Sequence, residues 1–206
     1  MSTNNAKCRL CRREGEKLFL KGERCHTQKC AVQRRNTPPG KDPKNRFSKL
    51  SEFGRQLREK QKAKRIFGVA EKVFRNYYQK ASSMKGICGE NLLALLERRL
   101  DNVVYRAGLA DSRSQARQMV SHGIFEFNGR RVDIPSISVR PGDLITIREV
   151  SAAHPVAAKA SERKIKVPSW IKFDVKKSQV EIVRFPEKDE LEQSIVINLI
   201  VEFYSR

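Results

Sequence analysis

Four cysteines near the amino terminus are the residues with the clearest chemical potential. Cys8 and Cys11 are separated by two residues, Cys25 and Cys30 by four, and the two pairs by thirteen. This spacing is typical of paired turns that hold one zinc ion in a tetrahedron of four thiolates. Because four thiolates complete the coordination shell, such an ion stabilises the fold and leaves no position for a reactive water. The sequence therefore predicts one structural zinc ion on these four residues.

Two other states of these thiols are open, namely two disulfide bonds or unrelated reduced thiols. The first residues, MSTNNAK, contain no apolar signal core, which argues for a reducing compartment and against disulfides. His26 directly follows Cys25 and is an alternative ligand, although four cysteines already suffice. Cys88 stands apart from the group and is predicted to be a small buried apolar residue.

The distribution of charge indicates a polyanionic partner. The 206 residues carry a formal net charge of +20, and residues 1–80 hold 23 Lys or Arg against 7 Asp or Glu. Such an excess attracts phosphate-rich partners over long range. No apolar stretch approaches the roughly 20 residues that span a membrane. We therefore expect a cytoplasmic chain that binds a nucleic acid, with no membrane partner and no homo-oligomer.

A helical segment follows the cysteines, from residue 48 to about residue 82. Four of its cations recur at intervals of three, four and three residues and so form a basic ridge. These are Arg55, Arg58, Lys62 and Arg65. Glu59 is the only acid between the first and the last of them, which favours a phosphate contact over a merely solvated face. The aromatic residues Phe74, Tyr77 and Tyr78 are predicted to pack in a core rather than to stack on bases.

A second unit is predicted over residues 92–149. It begins with the helix LLALLERRLDNVVYRAG, which Gly108 ends, and a second helix follows from a capping box. In that box the Ser112 side chain accepts from the amide of Gln115, and the Gln115 side chain reaches the amide of Ser112. Asn128 and Gly129 predict a tight hairpin, and residues 144–147 a further strand. Two short helices on a small antiparallel sheet are the expected unit.

Arginines on these two helices are predicted to straddle a nucleic-acid backbone, because a guanidinium group matches phosphate with two parallel hydrogen bonds. Asp101 and Glu97 are expected to orient them. The predicted contacts in this unit are Arg99, Arg106, Arg113, Arg117 and His122. The predicted contacts beside the cysteines are Arg9, Arg12, Arg13, Arg34 and Arg35.

The predicted fold class is α+β, in four parts. A zinc knuckle with a Pro-rich basic linker occupies residues 1–45, and a helical domain residues 46–91. The inserted module occupies residues 92–149, and residues 150–206 form a connection and a C-terminal segment. The linker, residues 36–45, either follows a phosphate backbone or is simply solvated. The last residues fit a helix with one face inward, although their alternation also permits a strand.

Several long stretches resemble the family of the fourth protein of the small ribosomal subunit, ribosomal protein S-four, in its bacterial or organellar form. They are CRLCRREGEKLFLKGERC, LSEFGRQLREKQKAKRIFGVAEKVFRNYY, GENLLALLERRLDNVVYRAGLADSRSQARQMVSHG, FNGRRVDIPS, VRPGD and INLIVEFYSR. The similarity covers nearly all of the chain. One departure follows Gly40, where relatives continue with Gln-His-Gly and this chain has Lys41, Asp42 and Pro43.

The resemblance implies a structural protein that binds small-subunit ribosomal RNA directly and early, at a multi-helix junction of the five-prime domain. It also implies a position near the channel that messenger RNA enters, beside the third and fifth proteins of the subunit. Some relatives repress their own messenger, so a messenger-RNA-binding translational repressor is the alternative. The C-terminal segment is implied to return to the helical domain.

An enzyme is not expected, although modules similar to residues 92–149 also accompany pseudouridine synthases. In those enzymes a separate catalytic domain performs the chemistry, and the residues outside the module leave no room for one. The three histidines have no evident partners for acid–base work, and no glycine-rich phosphate loop is present.

Overall fold

The computed structural model describes residues 6–40, 50–148, 167–174 and 177–205. The chain forms two compact units, one of Met1–Arg75 with Ser194–Arg206 and the other of Asn76–Gln193. This division differs from the predicted domains, since it places residues 76–91 and residues 167–193 with the module. Residues 41–45 of the predicted linker and residues 150–166 of the predicted connection lie outside the described residues.

The first unit begins with short elements that alternate with tight turns. Helix α1 spans Lys7–Glu14, a single 3-10 turn spans Gly22–Cys25, and helix α2 spans Ala31–Arg34. Gly15 ends α1 in the left-handed conformation with φ of 76°, which glycine adopts without steric cost. Each of the three elements carries or adjoins one or two of the four cysteines.

Two longer helices replace the single helical pattern that the sequence predicts from residue 48 to residue 82. Helix α3 spans Glu52–Phe67 and α4 spans Glu71–Ser82. The Ser51 hydroxyl caps α3 by accepting from the amide of Gly54 at 3.2 Å. Gly68, with φ of 64°, ends α3 and separates the two helices.

The last described residues form a helix and not a strand. We number this helix last, as α8; it spans Ile197–Tyr204 and packs along α3. Its Ile200 is fully buried, and its Glu202 accepts from Gln56 at 3.0 Å. Residues far apart in sequence thereby share the core of the first unit.

The second unit contains helices α5, Cys88–Glu97, α6, Leu100–Arg106, and α7, Arg113–Ser121. The helix predicted to run unbroken to Gly108 is therefore interrupted at Arg98 and Arg99. Arg99 has the extended angles φ −69° and ψ 139° and forms an isolated β-bridge with Ser138. Cys88 is half-buried at the start of α5, and so less buried than predicted.

The start of α7 follows the predicted capping box in one of its two bonds. The Ser112 hydroxyl accepts from the amide of Gln115 at 3.3 Å. The Gln115 side chain, however, accepts at 2.7 Å from the amide of Asp111, one residue before the predicted donor. Both bonds satisfy backbone amides at the beginning of the helix.

A five-stranded antiparallel sheet completes the second unit. Its strands are β1 Phe125–Phe127, β2 Arg130–Val132, β3 Leu144–Ile147, β4 Ile171–Asp174 and β5 Gln179–Ile182. Their spatial order is β2-β1-β3-β5-β4. The predicted hairpin is confirmed, with Phe127 opposite Arg130 and positive φ at Asn128 and Gly129. Strands β4 and β5 extend the sheet beyond residue 149, where the predicted module ends.

One apolar core joins this sheet to α6 and α7. The side chains of Phe125, Ile145, Val180 and Trp170 lie in it, together with Leu100 and Val120 from the helices. Burial of this size fixes the sheet and the helix pair as one body. Within the described ranges, no helix is both long and apolar enough to span a membrane.

Candidate nucleic-acid interface

The four N-terminal thiols line one small cavity. Cys8 and Cys11 share a face of α1, Cys25 ends the 3-10 turn, and Cys30 precedes α2. The cavity has a volume of about 10 Å³ and is closed in part by Leu20 and the neighbouring backbone. All four cysteines are free thiols, so the disulfide alternative is absent from this structure. Their spacing in sequence therefore corresponds to proximity in space.

The thiols are close enough to influence one another's ionisation. Burial raises the pKa of the Cys11 thiol, and negative charge on Cys25, Cys8 and Cys30 raises it further against the effect of a backbone hydrogen bond at Leu18. Four thiolates around one cation are the donor set of a closed structural zinc site, and these residues fit such an ion by type. No group of three or more His, Cys, Asp or Glu side chains is already arranged to hold a metal in the part of the chain that the structure describes.

His26 is not part of the thiol cavity. Its ring stacks on Phe19 with the ring centroids 5.1 Å apart, and both side chains are exposed. The alternative in which His26 replaces a cysteine as ligand therefore has no geometric support in this structure.

A second cavity lies beside the thiols and is lined almost entirely by cations. We call it the N-terminal basic groove; it is formed by Arg12, Arg24, Lys29, Ala31, Arg34 and Arg35. Its volume is about 320 Å³. Among the described residues, none of these five cations has a carboxylate within ion-pair distance. Three of the residues predicted from the sequence, Arg12, Arg34 and Arg35, thus share one site, while Arg9 and Arg13 are exposed outside it.

Arg24 and Lys29 were not among the nucleic-acid contacts predicted from the sequence. The Arg24 side chain donates from Nε to the carbonyl of Lys29 at 3.4 Å, across the loop that joins Cys25 to Cys30. Arg24 lies directly before this loop and Lys29 lies within it. That placement could have predicted that the two side chains are close together, because the ends of a short loop lie near each other.

The predicted basic ridge of α3 meets carboxylates instead of open solvent. Arg58 and Arg65 both contact Glu14, and Lys62 contacts Glu16 at 2.7 Å. Arg55 is an exposed residue that lies 3.7 Å from Glu52. Glu14 and Glu16 come from the end of α1 and the following turn, more than 40 residues away, so a count of the acids within α3 did not include them.

The pKa shifts at the ridge follow from this burial. Burial raises the pKa of Glu14, against the opposing attraction of Arg65 and Arg58. Burial also opposes the charge on Lys62, but the hydrogen bond to Glu16 and the charge of Glu59 outweigh it and raise its pKa. We therefore assign Arg58, Lys62 and Arg65 to the stability of the first unit and leave them out of the proposed interface.

Arg99 is an interior residue, with 1% of its surface exposed. It donates to the two carboxylate oxygens of Asp101 at 3.0 and 2.8 Å, and to the Tyr77 hydroxyl at 3.1 Å. Burial lowers its pKa, but these hydrogen bonds outweigh that effect and raise the pKa overall. The guanidinium is therefore enclosed, and phosphate has no access to it.

The other three arginines that were predicted to contact RNA from α6 and α7 also have partners inside the second unit. Arg106 donates to both oxygens of Glu97 at 3.0 and 2.6 Å. Arg113 donates to Asn102 at 2.7 Å and to Glu192 at 2.7 Å. Arg117, about half exposed, lies 3.6 Å from Asp101. Asp101 and Glu97 thus orient the arginines as expected, and the predicted guanidinium forks are largely occupied.

The relationship to known proteins follows from matches along nearly the whole sequence. The model of the Ribosomal protein S4/S9 N-terminal domain matches residues 3–97, and that of the S4 domain matches residues 98–145. The small ribosomal subunit protein uS4 of Thermodesulfovibrio yellowstonii is 54% identical over 203 residues, covering 97% of this chain and 96% of the relative. Its counterparts in Pelotomaculum thermopropionicum, covering 97% and 96%, and in Nitratidesulfovibrio vulgaris, covering 98% and 98%, are each 51% identical. The chain belongs to the uS4 family.

Proteins of the uS4 family are structural ribosomal proteins and not enzymes, which confirms the expectation of a non-enzyme. The two family models meet between Glu97 and Arg98, where the structure interrupts the helix between α5 and α6. The thiol cavity and the N-terminal basic groove lie within the first match. The carboxylate-bound arginines of α6 and α7 lie within the second.

The S4 domain of this uS4 family member also exposes cations that the sequence analysis did not select. Arg130 and Arg131 follow the hairpin turn, Arg140 precedes Pro141, and the predicted residue His122 is exposed at the end of α7. Gly123, next to His122, has φ of 68°, and a Cβ atom there would lie 2.5 Å from Nε of Arg131. The signal for these residues was the Asn-Gly turn, which directs the Arg-Arg pair after it onto a short exposed strand.

Proposed function

We propose that the chain is a structural component of the small ribosomal subunit that binds the ribosomal RNA of that subunit directly. The observation that carries this proposal is the 54% identity to a small ribosomal subunit protein over 97% of the chain. Similarity over both domains supports conservation of the whole architecture. Charge supports the same conclusion, because a net charge of +20 is far above what solubility requires.

The cations without carboxylate partners are the part of the surface best suited to phosphate. In the first unit they include the groove residues together with Arg9, and in the second they include the exposed residues Arg130, Arg131 and Arg140. An unpaired guanidinium gains two charge-assisted hydrogen bonds on meeting phosphate, whereas a paired one must first lose its carboxylate. Folded RNA is recognised largely by shape, so rigid placement of these cations supports selectivity as well as affinity.

We further propose that Cys8, Cys11, Cys25 and Cys30 bind one structural zinc ion. The ion would supply the stability that this segment lacks, because its three short elements contain few apolar side chains. The support is the shared cavity and the donor set, and the closed coordination excludes a catalytic water. Metal analysis of the purified protein should find one zinc per chain, and Cys11→Ser should lower that ratio. A metal-free wild-type chain with an intact fold would contradict the proposal.

The finer placement rests on the resemblance noted above. We propose that the chain binds early, at a multi-helix junction of the five-prime domain of the RNA, in a cytoplasmic ribosome. There it would lie near the channel that messenger RNA enters, beside the third and fifth proteins of the small subunit. Early binding is supported by the rigid cores of the two units, since ordered sites bind without a folding cost.

The test compares two RNA fragments of equal length, from the five-prime and three-prime domains of small-subunit RNA. We expect the full chain to bind the five-prime fragment at least about tenfold more tightly at 0.15 M salt, and chemical footprinting to show protection at one junction. Equal affinity for both fragments would overturn direct and early binding at that junction. Tighter binding to the leader of its own messenger, together with absence from native small subunits, would favour the repressor alternative.

A further inference from the structure

The N-terminal basic groove concentrates like charges in a way that requires an explanation. Four guanidinium groups and one ammonium group line one cavity of about 320 Å³, and no acidic residue from the described part of the chain lines it. Like charges at such separations repel one another. Elsewhere in the described chain the cations of α3, α6 and α7 are paired with carboxylates. The groove is therefore a cation cluster whose counterion is not supplied by the described residues.

Two of the groove cations, Arg12 and Arg24, are held in place by hydrogen bonds of their own side chains. Arg12 donates from Nε to the Thr37 carbonyl at 2.9 Å and from a terminal nitrogen to the Thr37 hydroxyl at 3.4 Å. Arg24 donates to the Lys29 carbonyl, and the amide of Arg34 donates to the carbonyl of Cys30 at 3.1 Å. These bonds use only part of the donors of two guanidinium groups, since each guanidinium carries five. The remaining donors are available to a ligand.

The short elements that gather the thiols also gather these cations. Arg12 directly follows Cys11, and Arg24 directly precedes Cys25. Lys29 precedes Cys30, which in turn begins the helix that carries Arg34. Three of the four cysteines thus have a groove residue as an immediate neighbour. The backbone that carries these cations is therefore set by the same turns as the thiols, and a backbone fixed before binding lowers the entropic cost of binding.

The number of guanidinium groups indicates the size of the ligand. A backbone phosphodiester offers two non-bridging oxygens, and a guanidinium fork occupies two acceptor sites of a phosphate. Two guanidinium groups therefore suffice for one phosphodiester, and four match two. The cavity volume reaches the range of roughly 300–1,000 Å³ typical of small-ligand sites, which accommodates more than a single anion.

We propose that the N-terminal basic groove binds two neighbouring backbone phosphates of one RNA strand, with Arg12, Arg24, Arg34 and Arg35 as the forks and Lys29 as an added charge. This inference rests on the proposed function, since it takes RNA as the partner, and it narrows the contact to one site. The groove thereby fixes the register of the RNA on the first unit, because phosphate contacts position a partner without reading its bases.

The test uses the full-length chain and its five-prime-domain RNA fragment. The groove variant is Arg34→Gln with Arg35→Gln. The matched control is Lys72→Gln with Arg75→Gln, which removes the same charge from two exposed positions of α4 that do not line the groove. Affinity is measured from 0.05 to 0.3 M salt, and the unfolding temperature of each variant is recorded to establish that it folds.

We expect the groove variant to bind about tenfold more weakly or worse at 0.15 M salt, because charge-assisted hydrogen bonds are lost. The slope of log affinity against log salt should also fall in magnitude by roughly 0.7, for the one single-strand phosphate that two guanidinium groups hold. The control should weaken binding less than about threefold, as expected for a change in long-range attraction alone. Equal losses in the two variants would overturn the groove as a discrete site.

Two further arms separate the alternatives. Arg34→Lys with Arg35→Lys keeps the charge but removes the forks, and should recover only part of the lost affinity. Full recovery would overturn the assignment of paired guanidinium contacts. Pyrophosphate alone, titrated into the wild-type chain, should bind at least about a hundredfold more weakly than the RNA, because it reaches only this groove. If pyrophosphate bound as tightly as RNA, the assignment of RNA as the ligand of the groove would be wrong.

The same binding experiments distinguish an error in the groove inference from an error in the proposed function. If the wild-type chain binds the five-prime fragment selectively and the groove variant binds equally well, only the groove inference is lost. If the wild-type chain shows no selectivity for that fragment, the proposed function is lost whatever the variants do.

Discussion

Asp101→Asn should test whether Arg99 stabilises the second unit or serves the RNA surface. Asp101 accepts two hydrogen bonds from Arg99, and the two side chains are 5% and 2% exposed. Removing the carboxylate charge leaves a buried guanidinium without its counterion. Breaking a buried ion pair in this way costs about 3–5 kcal/mol. For a chain of this length, about 2–4 °C of unfolding temperature corresponds to 1 kcal/mol, so we expect a decrease on the order of 10 °C.

Denaturant unfolding of the full chain provides the measurement, with three further variants. Arg140→Met, an exposed arginine in the same unit, is the matched control and should change stability by less than about 0.5 kcal/mol. Arg99→Met should destabilise strongly, because it leaves the Asp101 carboxylate buried. The double variant Arg99→Met with Asp101→Leu should recover most of the loss, since a buried ion pair replaced by apolar groups is often neutral.

The same variants separate stability from RNA binding. If Arg99 is structural, Arg99→Met with Asp101→Leu should keep the salt slope of the wild-type chain for RNA. A contact between Arg99 and phosphate would instead reduce that slope by roughly 0.7 to 0.9. Unchanged stability of Arg99→Met combined with a reduced slope would refute the structural role given to Arg99.

Three other predictions concern separate parts of the molecule. Burial opposes the charge of Glu71, but hydrogen bonds from Lys60 and Lys64 lower its pKa to about 2, so its stabilising contribution should be lost as pH falls from about 4.5 to about 2. Glu71→Gln should flatten thermal stability over that pH range. Gly123→Ala should cost about 1–2 kcal/mol of unfolding free energy from its positive φ and the contact with Arg131, whereas Gly129→Ala, with nothing within 4 Å, isolates the backbone cost. A zinc chelator should reduce amide protection in residues 6–40 and leave the second unit protected; equal protection with and without chelator would count against the zinc ion.

Local chemistry was sufficient to predict several elements. Asn and Gly adopt positive φ more readily than other residues, so Asn128 and Gly129 alone were enough to predict the hairpin turn. Ser112 begins α7 for a similarly local reason, since its hydroxyl satisfies an amide three residues ahead. The cysteine spacing predicted one zinc ion on four neighbouring thiols; the four thiols do line one cavity, and the ion stays a prediction. In each case the determining groups lie within a few tens of residues.

Tertiary contacts decided what the sequence analysis missed. At the break, the Arg99 guanidinium binds Tyr77 and Asp101, and the Arg99 backbone forms a bridge with Ser138, 39 residues away in sequence. The carboxylate that accepts from Arg113 at 2.7 Å is Glu192, 79 residues away in sequence. Strands β4 and β5 join the sheet after a long intervening segment, and no local pattern indicates which strand they pair with. A periodicity argument cannot assign partners at such separations.

The number of cations that lack a carboxylate partner, more than the total number of cations, should determine how strongly salt weakens RNA binding. The chain has 43 Lys or Arg, but a guanidinium bound to a carboxylate releases no counterion when RNA approaches unless the carboxylate leaves. If a phosphate replaced Glu97 as the partner of Arg106, the fully buried Glu97 carboxylate would be left without a counterion, which costs free energy. Binding should therefore draw on the unpaired cations of the groove and of the exposed hairpin. For this reason the measured salt slope should correspond to the phosphates those sites can reach, and substitutions in α3 or α6 should change stability more than that slope.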